Sequence, residues 1–379
     1  LKGKEMKRIK IYLYQKRFYL SVILLKYLHT SAFKSLAIAK AMSTFFALIY
    51  LSFSRQTNRT TKNVIGIALI FALSGLTGLK AQQEPLYTQF MFNKLALNPG
   101  YAGSVDGLSL TALYRNQWIG FDGAPESMVF GINYPTQNEK IGLGFNLSRH
   151  VISISQFINA EASYAYRLKL GEGKLGLGIS AAARFFQSDY SDPRLQAVQD
   201  IGIDGAIDGE SNSKIIPNFG FGAYYSTTKM YLGFSIPRLF NASIDFDDLS
   251  DVTDTEVRHI YLMAGYSWDI SRDLSIIPQL FFKIPEDSPF DLDINVNALL
   301  SETYTLGMTY RTGGFDNSIG QSIDLIAGAQ ISQRLYAGLA YDISLTKIRK
   351  YEAGSIEATL RYLFIDVQER ESFDNPRYF

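Results

Sequence analysis

The chain has 379 residues, a formal net charge of +1, no cysteine, three histidines and 14% aromatic residues. The near-neutral total hides a split: residues 1–80 carry 14 Lys/Arg and one acid, and the remainder carries 23 basic and 35 acidic side chains. Without cysteine there is no disulfide framework, zinc–thiolate site or thiol nucleophile, and 24 Tyr and 26 Phe beside only 19% charged residues suit an outer surface that meets lipid.

Residues 1–81 read as a leader. Residues 1–54 hold two short apolar runs, Phe18 to Leu25 and Met42 to Phe53, among scattered lysines. They are read as upstream sequence ahead of a later translation start, and no function is assigned to them. Arg55 to Ala81 has the form of a secretory signal peptide. Arg59 and Lys62 supply the positive region, Val64 to Leu76 the apolar run, and Ala81 the small residue before the expected cleavage. The apolar run is shorter than the roughly 20 residues of a spanning helix; an N-terminal membrane anchor is the alternative.

From residue 107 to 366 the pattern is a two-residue alternation over about ten residues at a time. Leu292, Ile294, Val296 and Ala298 oppose Asp291, Asp293, Asn295 and Asn297; Leu306 and Met308 oppose Thr305 and Thr309; Ile356, Ala358 and Leu360 oppose Glu357, Thr359 and Arg361. Fourteen strands are predicted, near 107–118, 126–134, 139–149, 157–168, 173–187, 217–226, 230–236, 258–269, 273–284, 290–299, 302–311, 320–331, 334–344 and 355–365. Every second connection is tight, and those between are longer. That sorting is expected of an outer-membrane barrel, with short periplasmic turns and long outer loops. The predicted fold is all-β, a transmembrane antiparallel up-and-down β-barrel of about 14 strands preceded by a signal peptide. The alternative is a large soluble β-sandwich or barrel with a dry core. Pro278, inside the ninth strand, predicts a bulge because proline cannot donate to the ladder.

Cost decides which face meets lipid. A Lys or Arg on the lipid face at the bilayer midplane costs roughly 2–4 kcal/mol. Arg115, Glu161, Arg167, Arg184, Asp293, Arg311, Asp324, Asp342, Glu357 and Arg361 all fall on the polar register. Turned outward, they would together exceed the stability of a domain, so they are predicted to line the lumen. Trp118 and Trp268, near strand ends, are predicted in the interfacial girdles. The glycine pairs at 176 and 178 and at 220 and 222 lie inside strands, the wrong context for phosphate binding, and are read as relieving crowding in the lumen.

No enzyme is expected. His29, His150 and His259 stand alone, with no His-Glu-x-x-His or Ser-His-Asp ordering. The acidic loop holding Asp245, Asp247 and Asp248 lacks the spacing of a calcium loop and reads as solvated. No cofactor, metal or nucleic-acid partner is predicted.

Gln89-Phe90-Met91-Phe92-Asn93, Asn98-Pro99-Gly100-Tyr101-Ala102-Gly103-Ser104 and Tyr114-Arg115-Asn116-Gln117-Trp118-Ile119-Gly120-Phe121-Asp122-Gly123-Ala124-Pro125 resemble the PorP/SprF family of type IX secretion and gliding-motility outer-membrane proteins of Bacteroidetes. Tyr164 to Leu168, Pro217 to Gly220, Tyr310 to Gly313 and the tail Asn375 to Phe379 continue the likeness, which covers residues 82–379. The resemblance implies an outer-membrane protein that works with the type IX machinery, receives the C-terminal sorting domain of a secreted adhesin and anchors it outside. A periplasmic peptidoglycan-associated protein is a further implied partner. A porin, general or substrate-selective, is the alternative.

On this topology residues 82–106 form a periplasmic N-terminal segment or a plug, and 367–379 a C-terminal tail. Tyr87, Phe90, Phe92 and Tyr101 need burial in the barrel mouth or against a partner. They are candidate partner-binding residues, together with Asn98 and Pro99 in the same segment and Asp245, Asp247 and Asp248. The loops 188–216 and 237–257 are the expected cargo-docking surface.

Overall fold

The computed structural model describes residues 84–192, 211–243, 255–286, 290–313 and 320–364. The expected signal peptide, the C-terminal tail and Asp245, Asp247 and Asp248 lie outside the described residues. The strands run as β1 (Leu108–Asn116), β2 (Glu126–Pro135), β3 (Ile141–Ile152), β4 (Ser155–Leu170), β5 (Gly173–Asp189), β6 (Ser211–Ser226) and β7 (Met230–Ile236). A two-stranded ribbon of β8 (Ala242–Ser243) and β9 (Thr255–Glu256) follows, then β10 (His259–Tyr266), β11 (Trp268–Ser271), β12 (Leu274–Pro285) and β13 (Asp291–Leu300). The last are β14 (Tyr304–Arg311), β15 (Ser322–Gln330), β16 (Leu335–Ser344) and β17 (Ser355–Phe364).

β1 to β7 and β11 to β17 each pair antiparallel with their chain neighbours, β1 pairs β17, and β10 pairs both β7 and β12. The sheet therefore closes, with β10 and β11 as two halves of one strand, into a barrel of fourteen strands. Closure leaves no edge, which is what a sheet in hydrocarbon requires. No described helix is long and apolar enough to span a membrane.

The alternation sets the faces. In β14 Leu306 and Met308 are each 53% exposed on the outside, while Arg311 between the same walls is 2% exposed on the inside. The outer band of Ile179, Leu232, Ile294, Val296, Leu325, Leu339 and Leu360 is apolar throughout. Trp118 and Trp268 stand near opposite ends of the barrel.

Two local expectations are corrected. The register of β12 against β13 runs unbroken through Pro278, opposite Val296. The missing donor is accommodated on the other flank, where β10 ends at Tyr266 and β11 resumes at Trp268, and Ser267 N–H turns to the carbonyl of Lys229 at 2.7 Å. The bulge lies at Asp269–Ser271 instead. The second correction is the β3–β4 connection, expected among the long loops. It is a two-residue turn of Ser153 and Ile154, because both strands extend beyond their predicted ends and Ser153 adopts φ 54°.

Candidate functional site: a plugged lumen

Residues 84–106 lie inside the barrel. By the rule that short turns face the periplasm, the paired ends of β1 and β17 at Leu108 and Phe364 mark the inner end. The segment runs from Glu84, beside outer-end residues Arg184, Arg238 and Glu256, down to Asp106 at the inner end. It is built of single 3-10 turns at Phe90–Phe92, Lys94–Ala96 and Pro99–Tyr101. Asn98 starts the last of these by accepting the N–H of Gly100 on its side chain at 2.8 Å, with Pro99 supplying a preset φ.

Three kinds of contact hold the plug. The first is aromatic. Phe90 stacks on Phe281 at 5.1 Å, Phe92 on Tyr336 at 4.5 Å, and Tyr101 meets Tyr224 edge-on at 5.0 Å. Lys94, 1% exposed, is caged by tyrosines, its Nζ 3.8 Å above the Tyr231 ring and 3.4 Å from the Tyr224 hydroxyl. Burial, helped by the positive charge of Arg361, holds its ammonium well below the usual lysine range.

The second joins side chains to backbone, where plug and wall approach closely. Asn98 donates to the carbonyls of Ala223 and Phe234, Ser235 donates to that of Leu97 at 2.6 Å, and Gly103 N–H donates to Asn133 at 2.6 Å. Gly178 and Gly142 face this loop so closely that a Cβ on either would overlap the backbone of Pro99 or Ala102. That is the crowding the strand glycines relieve.

The third is charge. Arg115 reaches Asp342 at 2.6 Å and Glu357 at 3.3 Å; Arg311 reaches Asp293 at 3.1 Å and Asp324 at 3.4 Å; Lys283 sits 3.0 Å from Asp293. The plug is written into this network. Glu357 accepts the N–H groups of Thr88 at 2.9 Å and Gln89 at 2.7 Å, and the Thr88 hydroxyl donates to Asp342 and accepts from Arg115 at 2.9 Å. At the outer end Glu84 pairs with Arg184 and Arg238, and both arginines also pair with Glu256. Burial pushes the Glu84 carboxyl up, but Arg238 beside it prevails and holds it below the usual range. Burial prevails at Glu256, which is pushed up to about 7 against the pull of Arg238.

Of the wall residues predicted to face inward, Arg115, Glu161, Arg184, Asp293, Arg311, Asp324, Asp342 and Glu357 are buried in the lumen. Arg167 and Arg361 share their register, half-buried toward the inner end. Tyr87, Phe90, Phe92, Asn98, Pro99 and Tyr101 are brought together as the packed body of the plug. His150 and His259 also face the lumen. His150 lies 2.9 Å from the Ser127 hydroxyl and 3.4 Å from that of Tyr87.

The sequence pattern assigns no lumen role to Glu84, Thr88, Gln89, Lys94, Arg238, Glu256 or Lys283. Lys94 carried a signal, as the one charge in the otherwise uncharged run 85–105. Spaces between plug and wall among the described residues include about 10 Å³ beside Leu95 and Arg361, 20 Å³ beside Leu86 and Phe281, and 40 Å³ beside Tyr87 and His150. These hold a water or two at most. Among the described residues no group of three or more His, Asp or Glu is placed to hold a metal ion.

Residues 79–362 match the family described as "Type IX secretion system membrane protein PorP/SprF". The curated proteins give no match. Among solved structures, the Ralstonia pickettii toluene transporter TbuX is 11% identical, with 77% of this chain and 98% of that chain covered and a TM-score of 0.44. The CymD monoaromatic hydrocarbon channel is 12% identical, with 76% and 96% covered and a TM-score of 0.43. A Pseudomonas aeruginosa FadL homologue is 13% identical, with 74% and 95% covered and a TM-score of 0.39.

Proposed function

The chain belongs to the PorP/SprF family of type IX secretion membrane proteins, and from that premise we propose that it supports export of a large adhesin and anchors it at the cell surface. It sits in the outer membrane as a closed barrel. In this reading the barrel is a fixed platform, the outer loops receive the C-terminal sorting domain of the adhesin, and the short-turn end meets periplasmic components attached to peptidoglycan. Gliding or surface attachment is the cellular output.

The observation that carries the reading is the filled lumen. A plug tied into the wall by charge, hydrogen-bond and aromatic contacts, with spaces of about 10 to 40 Å³ beside it among the described residues, supports a platform whose working surfaces are its two ends. Replacing residues 190–212 by a short turn, in cells where the shortened barrel still assembles, is expected to release adhesin into the medium. Adhesin retained at parental levels would overturn the docking role. Loss of adhesin from both surface and medium would place the protein in export alone.

A further inference from the structure

A second site lies outside the lumen, at the outer rim between β16 and β17. The connection 345–354 carries the 3-10 turn Lys347–Lys350, in which three of four residues are basic, followed by Tyr351. Its level follows from β16 itself. Tyr336, Gly338, Ala340 and Asp342 are buried inside, so Leu335, Ala337, Leu339, Tyr341 and Ile343 form the outward face. Leu335 and Ile343 lie about 27 Å apart along the strand and about 21 Å apart in height at the usual barrel tilt, most of an apolar band roughly 25 Å tall. The turn therefore begins where that band ends.

The connection leans outward, over the lipid face. Tyr341, on the outer wall, donates its hydroxyl to the carbonyl of Ala353 at 2.6 Å, and a Cβ on Gly354 would overlap the Tyr341 ring. Both of its roots are fixed. Leu345 N–H donates to Gln321 at 2.9 Å, Ala353 N–H to Ile119 at 2.8 Å and Ile119 N–H to Gly354 at 2.8 Å. Lys347, Arg349 and Lys350 are exposed, and Tyr351 is exposed to 71%. Among the described residues the side chains of Arg349 and Lys350 have no hydrogen-bond or ion-pair partner. The one acid of the connection, Glu352, is turned back onto the Gly354 N–H.

The geometry points to a binding site for the phosphate groups of a glycolipid in the exterior leaflet. That leaflet of an outer membrane is built of glycolipid whose phosphates sit on sugars just above the acyl chains, which is the level of this turn. Guanidinium and ammonium groups on long apolar stems reach such phosphates. An exposed tyrosine beside them belongs at the boundary between acyl chains and headgroups. The outward lean favours a lipid beside the wall over a protein seated above the lumen.

The chain from residue 82 onward, folded in detergent, is incubated with diphosphoryl lipid A, with the same lipid stripped of its phosphates, or with phosphatidylglycerol. Lipid retained per barrel after repurification is counted by mass spectrometry. Diphosphoryl lipid A is expected to be retained about tenfold more than the stripped form. The triple variant Lys347→Gln, Arg349→Gln, Lys350→Gln should lose that excess. Loss of three exposed cations from the short-turn end, Lys140→Gln, Lys169→Gln and Arg272→Gln, should leave it unchanged. Should the outer triple fail to assemble, R349Q and K350Q singly carry the comparison, each lowering the excess. Equal retention of the two lipid A forms, an excess that survives the outer substitutions, or an equal loss from the short-turn variant overturns the site. Phosphatidylglycerol retained as well as lipid A would reduce the turn to a general attraction for anions. Release of lipid A by inorganic phosphate at the lipid's own concentration would reassign it to a soluble anion, and either result likewise overturns the proposal.

Discussion

Thr88 donates its hydroxyl to the Asp342 carboxylate, 2.7 and 2.8 Å from its two oxygens, across 254 residues of chain. Asp342 lies on β16, and its ion-pair partner Arg115 lies on β1, with β17 and its Glu357 between them. The start of the plug is thus fastened where the first and last strands meet. Seating the plug and closing the barrel satisfy the same buried charges.

The seam is expected to fail first when Glu357 is lost. Glu357→Ala strips two plug N–H groups of their acceptor and Arg115 of one counter-ion, a class of change that costs about 3–5 kcal/mol. Glu357→Gln keeps one acceptor oxygen and should cost less. Heat-induced loss of the compact gel form should fall in temperature in the order parent, Gln, Ala. Equal temperatures for all three would show that the plug is not tied to the seam.

Crowding gives a second test. A side chain at Gly178 must displace the backbone of Pro99, so Gly178→Val is expected to expel the plug or block assembly. Leu177→Ala next to it, on the lipid face, should cost at most about 3 kcal/mol and leave the plug seated. Protease protection of residues 84–106 in folded barrels reads the difference, and protection in G178V equal to that of the parent would be the contrary result.

The outer cluster makes stability depend on pH. Glu256 is pushed from 4.5 up to about 7, so the folded state holds a proton that the unfolded chain has already released across that window. Its contribution is fully present below about pH 4.5 and is lost as pH rises through about 7. Glu84, held below its usual range, acts only at lower pH, where its contribution is lost as pH falls through its folded value. Unfolding midpoints measured from pH 5 to 8 should therefore decline in the parent more steeply than in Glu256→Gln. Parallel slopes would remove Glu256 from the account.

Neighbouring residues of one strand should respond in opposite ways to polarity. Ile294→Arg puts a charge on the lipid face at a cost of roughly 2–4 kcal/mol near the midplane, whereas Ile294→Thr costs little. Asn295 is fully buried and bonded to Gln279 at 3.2 Å and Thr309 at 2.8 Å. Asn295→Val should cost about 1–3 kcal/mol through the partners it leaves unmet. Urea titration of barrels refolded in bilayers measures both.

The wall was legible in the sequence and the plug's path was not. Alternation such as Leu292 to Ala298 against Asp291 to Asn297 names both the strand and its faces, because a period of two has one reading beside lipid. The plug has no such period. Its turns are three residues each, and its partners lie as far as 269 residues away, as Thr88 does from Glu357. Phe281 and Tyr336 gave no warning either, since an aromatic on the polar register shows itself as a plug contact only once Phe90 and Phe92 are placed beside it. The β3–β4 turn was missed because Ser153 takes a positive φ without the glycine that usually marks one.

Single-channel conductance of the purified chain from residue 82 onward in planar bilayers tests the filled lumen most directly. The account predicts silence from the parent, and steps only when residues 84–106 are removed or unseated by G178V. Large, stable steps from the intact chain would mean that the lumen conducts, and the reading of this barrel as a platform would be wrong.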